Sequence, residues 1–237
     1  MNTVAIPHRT FERRFYLGIS IVFFALVVWT FARTYYLKIL FDTPVLPALL
    51  HVHGVVMTGW VVLLAVQSGL VAAHRVPWHR RLGVFGACWA ALVVLLGSTT
   101  TLHAAARAVG AHTRSAPILV AIAGLEVTQM VFFAGLVIGA ILLRRRPDYH
   151  KRLMVLTIAC MLPSVLARLP VSFMSNAVIL GGLDLFVLAC VGIDTWRHRR
   201  LHPAFACAGG IFLAVFNVGF FFFMSPAWIR FGTWLVS

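Results

Sequence analysis

"LLHVHGVVMTGWVVLLAVQSGLVAAH" runs from residue 49 to residue 74 without an Asp, Glu, Lys or Arg. A helix climbs about 1.5 Å per residue, so roughly 20 such residues cross a hydrocarbon core of about 30 Å. The stretch therefore reads as a membrane-spanning helix. The same test applied outward finds apolar windows near 15–37, 47–72, 83–106, 117–143, 153–173, 177–194 and 204–224. Seven spans with short connections leave almost no soluble domain. The expected fold class is thus all-α, a polytopic membrane protein forming a single helical bundle over residues 1–237. Composition agrees, with 61% hydrophobic and 11% charged residues, against about 45–50% and 25% in soluble domains. The basic segment "MNTVAIPHRTFERR" precedes an apolar run too long for a signal-peptide core, and no small-residue cleavage site follows, so the first helix is expected to be retained.

The formal net charge is +14, and its placement decides what it means. If the N-terminus is cytoplasmic, the inside segments carry Arg9, Arg13 and Arg14, then Arg75, Arg80 and Arg81. After span 4 come Arg144, Arg145, Arg146, Lys151 and Arg152, and after span 6 Arg197, Arg199 and Arg200. These are 14 of the 20 basic residues; Arg33, Lys38, Arg107, Arg114, Arg168 and Arg230 fall toward the other face. Such asymmetry in short loops predicts an N-in, C-out arrangement. It argues for anionic lipid headgroups, and against nucleic acid, as the partner of the basic loops. The four cysteines, Cys88, Cys160, Cys190 and Cys207, lie inside predicted spans with no CxxC pair and read as small apolar residues.

"WHRRLG" at 78–83 and "YHKRLM" at 149–154 are nearly one phrase written twice, each where a cytoplasmic loop turns into an outward-going helix. A looser third version, "DTWRHRRLHP", occupies 194–203. Trp78 and Tyr149 suit an interfacial aromatic belt, and Asp148 can cap the helix that follows it. Beside this structural role, His79 and His150 share one membrane depth and form a candidate inner-face site.

On span 2, His53, Trp60 and Gln67 recur every seven residues and form one stripe with Met57 beside it. His51 is about 200° around the helix from His53, so a regular helix aims only one of them at a given point. His53 lies about 9 Å below the outer face and His103 of span 3 about 6 Å, so their depths match. His79 and His103, roughly 36 Å apart on one helix, cannot share a ligand. A pair is therefore outer (His53 or His51 with His103) or inner (His79 with His150 or His74). Two histidines facing each other across helices suit the axial positions of a b-type haem, which also needs an apolar slot such as Gly54, Gly59 and Gly97 could leave. Electron transfer is the expected chemistry of that arrangement. No CxxCH is present for covalent attachment. Interfacial histidines bonded to carbonyls or water, and a mononuclear copper or zinc site, are the alternatives.

"LHVHGVVMTGWVVLLAVQSGLVAAHRVPWHRRLG" resembles a pattern recurring in uncharacterised bacterial multi-pass membrane proteins. More loosely, it is similar to the His-bearing helices of membrane b-type cytochromes and oxidase-assembly membrane proteins. With "DYHKRLMVLTIACMLPSVLARLP" at 148–170, the likeness covers about a quarter of the chain. It singles out His51, His53, Trp60, Gln67, His79, Arg81, Gly83, His150, Arg152 and Arg168. The cytochrome likeness implies histidine pairs as haem ligands; a bacterial inner (plasma) membrane location, and a redox partner or a second copy of the chain as protein partner, are further expectations.

Glu126, Gln129 and Asp184 are polar groups inside spans, where such groups commonly face a cavity or one another. Arg168 is expected to pair with Asp184 or Glu126, or to neutralise a haem propionate. The functional expectation is haem-b-dependent electron transfer through His53 and His103. A cofactor-free scaffold or metal- or haem-handling assembly factor is the alternative, and a small-solute carrier lined by Glu126 and Asp184 a weaker one. A retinal Schiff base is excluded because the only lysines are Lys38 and Lys151 and neither lies in span 7. The topology also resembles that of adiponectin-receptor-like zinc hydrolases, but the last span, "AFACAGGIFLAVFNVGFFFF", has no histidine to act as a ligand. No P-loop, GxSxG or HExxH occurs.

Overall fold

A computed structural model describes residues 5–41, 43–169 and 175–237, with side chains from residue 10. Eight α-helices are present among them: α1 Ala5–Phe31, α2 Ala48–Ala72, α3 Val76–Gly110, α4 Ala116–Leu142, α5 Pro147–Leu166, α6 Asn176–His198, α7 Gly210–Phe223 and α8 Pro226–Val236. A π-helical turn, Ala32–Tyr36, extends α1, and a second, Phe205–Gly209, leads into α7. No strand occurs among the described residues. Six helical segments are long and apolar enough to cross a membrane: Thr10–Tyr36, Ala48–Ala72, Val76–Gly110, Ala116–Leu142, Asn176–His198 and Phe205–Phe223. Only 17–33% of the most apolar window in each is buried. Val22, Val84, Leu142, Leu185 and Phe221 are all more than two-thirds exposed. In water that surface would be a severe liability, whereas lipid solvates it.

The expected fifth span, near 153–173, reaches into residues 170–174, outside those described. Its described part, α5, falls short of a full span because the first turns carry Asp148, His150, Lys151 and Arg152. Leu153–Leu166 rises only about 21 Å. Helix α8 was not expected from the sequence. It starts at Ser225, whose hydroxyl accepts from the Trp228 N–H, with Pro226 in its first turn.

Local chemistry explains the helix ends. The His74 N–H reaches Val71 O and the Arg75 N–H reaches Leu70 O, a double closure with His74 at φ 61° in the left-handed position that glycine usually takes. His112 closes α3 in the same way, with Thr113 N–H on Ala108 O. Ser175 caps α6 by accepting from Val178 N–H.

Contacts divide the chain into two compact units. The first, Met1–Val93 with Arg168–Pro170, packs α1 against α2. Ser20 Oγ meets Ser68 Oγ at 3.0 Å, and Tyr36 OH meets Thr58 Oγ1 at 2.8 Å. Such short polar bridges suit helices that gain no hydrophobic drive from one another in lipid. The second, Val94–Ala167 with Val171–Ser237, is built around α5, which packs on α4, α6 and the Phe205–Gly209 turn. Every residue from Val155 through Leu162 is buried.

Candidate functional site at the basic end of the second unit

The most elaborate polar cluster lies where α5 begins and α6 ends. Arg152 is 2% exposed. Its Nε donates to Asp194 Oδ2 at 2.9 Å and its Nη2 to Asp194 Oδ1 at 2.6 Å, a two-pronged pairing of guanidinium with carboxylate. Nη1 donates to the Asp148 carbonyl at 2.7 Å. The Phe205 ring lies 5.9 Å from the guanidinium carbon. That phenylalanine sits in the π-helical turn, the kind of local irregularity often found at functional sites.

Asp194, His198 and His202 recur every four residues. His198 Nδ1 donates to the Asp194 carbonyl at 2.8 Å and lies 3.4 Å from its Oδ1. His202 Nδ1 accepts from the Ala204 N–H at 3.2 Å, which leaves the proton of the neutral ring on Nε2. The Tyr149 ring meets His202 edge-on at 4.7 Å. Desolvation by burial, reinforced by the Arg152 charge, holds the His202 pKa below its ordinary value. For Asp148, burial pushes the pKa up, but the hydrogen bond from Lys151 and the charges of Lys151 and Arg152 outweigh it and hold the carboxyl below its usual range. Asp148, Arg152, His198, Arg200 and His202 line an open recess of about 280 Å³, solvent in its mouth included.

The structure places the residues singled out from the sequence as follows. His150 Nδ1 donates to the Ala140 carbonyl of α4 at 2.8 Å. With the Gln67 amide oriented to satisfy both its ends, its nitrogen donates to His79 Nδ1 at 2.6 Å and to the His79 carbonyl at 3.1 Å, while its oxygen accepts from Gly83 N–H at 3.0 Å. Each copy of the repeated phrase therefore ties its helix to the preceding one through its histidine. The repeat's second basic residue differs in use, Arg81 stacking over Trp78 at 5.5 Å while Arg152 is buried against Asp194.

Trp60 is buried, His53 half-buried and His51 exposed on α2. The His51 carbonyl accepts from Tyr35 OH at 3.1 Å. His103 is exposed on the part of α3 belonging to the second unit. A Cβ on Gly54 would lie 2.5 Å from the Tyr35 ring, and one on Gly59 2.4 Å from Trp89. Protein rings thus fill both notches expected to leave a cofactor slot along α2, and these positions do not fit a macrocycle. No group of three or more metal-ligating His, Cys, Asp or Glu side chains occurs among the described residues. Glu126 accepts from Ser164 Oγ at 3.3 Å, Asp184 from Asn217 Nδ2 at 3.0 Å, and Gln129 is buried. The Arg168 guanidinium lies over Phe31, 4.8 Å from the ring centre.

From the sequence, Arg200 counts among the inside charges and 194–203 reads as a third version of the repeat, but Asp194, His198, Arg200 and His202 received no role in a site. The available signal was an acid inside a basic segment, followed at four-residue spacing by two histidines. Comparison with family models, curated proteins and solved structures finds no match for the chain.

Proposed function

We propose that this chain is a seven-span, N-in, C-out protein of a bacterial inner membrane, serving as a binding scaffold that gathers anionic lipid around its basic end. One observation carries this reading: within each unit, segments assigned by charge to the same side come together. In the first unit, Arg13 of α1 lies on the His74 ring at 2.7 Å, joining the N-terminal segment to the α2–α3 turn. In the second, the start of α5 meets the end of α6 through Arg152, Asp194, Tyr149 and His202. The polar first turns of α5 then belong at the headgroup level, and packing of α5 between α4 and α6 supports its counting as the fifth crossing.

The test is lipid selectivity in reconstituted membranes. Spin-labelled phosphatidylglycerol should be enriched over phosphatidylcholine in the motionally restricted shell, and the enrichment should shrink as salt rises. Equal occupancy at low salt would defeat the proposal. The rival reading, haem b held by His53 with His103 or His51 for electron transfer, predicts a sharp b-type α band in the dithionite-reduced minus oxidised spectrum that His53→Ala removes. The scaffold reading predicts no such band.

A further inference from the structure

The recess beside Arg152 combines unused donors with the correct local sign of charge. A guanidinium has five N–H groups. In Arg152 three of them are used, two on Asp194 and one on the Asp148 carbonyl; one N–H on Nη1, which also lies 3.9 Å from Asp148 Oδ1, and one on Nη2 make no hydrogen bond among the described residues, on a side chain that is 2% exposed. Arg152 nevertheless lines the recess, so those donors have an opening to serve. His202 supplies a further N–H from Nε2, because its Nδ1 is occupied by the Ala204 N–H. Arg200, exposed at the rim, supplies a second guanidinium.

We propose that this recess binds a phosphoryl group, with Arg152, Arg200 and His202 as its donors. The inference rests on the scaffold reading and narrows it to one site. A tetrahedral oxyanion can take hydrogen bonds from several directions at once, which matches donors arriving from α5 and from the loop between α6 and the Phe205–Gly209 turn. Planar guanidinium groups are well suited to phosphate. Asp148, on the same rim and paired with Lys151 at 3.1 Å, sets the preference among phosphates. Its negative charge opposes a second charge on the ligand, so a singly charged phosphodiester, as in a phospholipid headgroup, is favoured over the phosphate dianion. Position agrees, since the recess lies at the end of the helices rather than midway along them.

The experiment uses the full chain in detergent, stripped of lipid, as wild type, Arg200→Ala, Arg200→Lys and Arg230→Ala. Arg230, on α8, removes the same charge away from the recess. Phosphatidylglycerol binding is followed by native mass spectrometry, and inorganic phosphate binding by the shift in melting temperature. Arg200→Ala should weaken phosphatidylglycerol binding on the order of tenfold, as expected for one charge-assisted contact. Arg200→Lys should recover part of the loss, and Arg230→Ala should bind as wild type. Binding of inorganic phosphate, lost in Arg200→Ala and competing with the lipid, would support the site with free phosphate as its source. If Arg200→Ala and Arg230→Ala bind both probes as wild type does, the recess is not the site, while overall enrichment of anionic lipid would still stand. If no variant, wild type included, distinguishes phosphatidylglycerol from phosphatidylcholine, the scaffold reading fails as well.

Discussion

Arg152 and Asp194 illustrate how one buried pair makes its members dependent on each other. Neither is more than 6% exposed, so removing the arginine strands a carboxylate away from water. Arg152→Ala should destabilise the protein by about 3–5 kcal/mol in a detergent melt. The double change Arg152→Leu with Asp194→Leu should recover much of that loss, because two apolar side chains leave no orphaned charge; equal damage from both would point to packing instead. His202 gives a prediction of opposite chemical origin. Its folded pKa lies below its ordinary value of 6.5, so the unfolded chain binds the proton more readily. The stability that this neutral ring contributes is complete above about pH 6.5 and is lost as pH falls below it. His202→Gln should flatten the melting-temperature profile between pH 6.5 and 5. An unchanged slope in that window would overturn the role given to His202, because Asp148, whose lowered pKa adds a loss of the same sign, acts only at more acidic pH.

At the scale of elements, small residues set how closely helices approach. Trp89 of α3 packs where Gly59 of α2 has no side chain, and its indole N–H donates to the Val56 carbonyl at 2.9 Å. Gly59→Ala should displace the ring and break that bond, costing about 1–3 kcal/mol, visible as a lower melting temperature. Gly18→Ala, with nothing within 4 Å of the new methyl group and a helix-interior glycine removed, should not lower it. Gln67 joins the same two helices by another device, its amide bridging the His79 carbonyl and the Gly83 N–H. The seven-residue spacing puts His53, Trp60 and Gln67 on one stripe of α2, where Trp60 is buried and the other two half-buried, yet the partner of Gln67 was not legible. Spacing along one helix says which residues share a face, but not which backbone lies opposite.

For the whole molecule, topology is the property that charge placement and structure address from different directions. A C-terminal alkaline phosphatase fusion should be active and a C-terminal green fluorescent protein dark if all seven helices cross. The reverse result would mean that α5 does not cross, leaving the six segments that are long and apolar enough to do so and both ends on one side. A helical membrane protein, with six of its apolar helices in place, was legible in the sequence alone, because length and hydropathy are local properties that lipid reads directly. The sequence also marked the repeated aromatic-His-basic phrase as structurally significant. Packing in three dimensions alone reveals that His79 and His150 fasten hairpins, that Tyr35 and Trp89 fill the glycine notches, and that Arg152 meets Asp194. Those pairings join residues 12, 10, 19, 30 and 42 positions apart, a separation that packing in three dimensions sets and linear spacing does not encode.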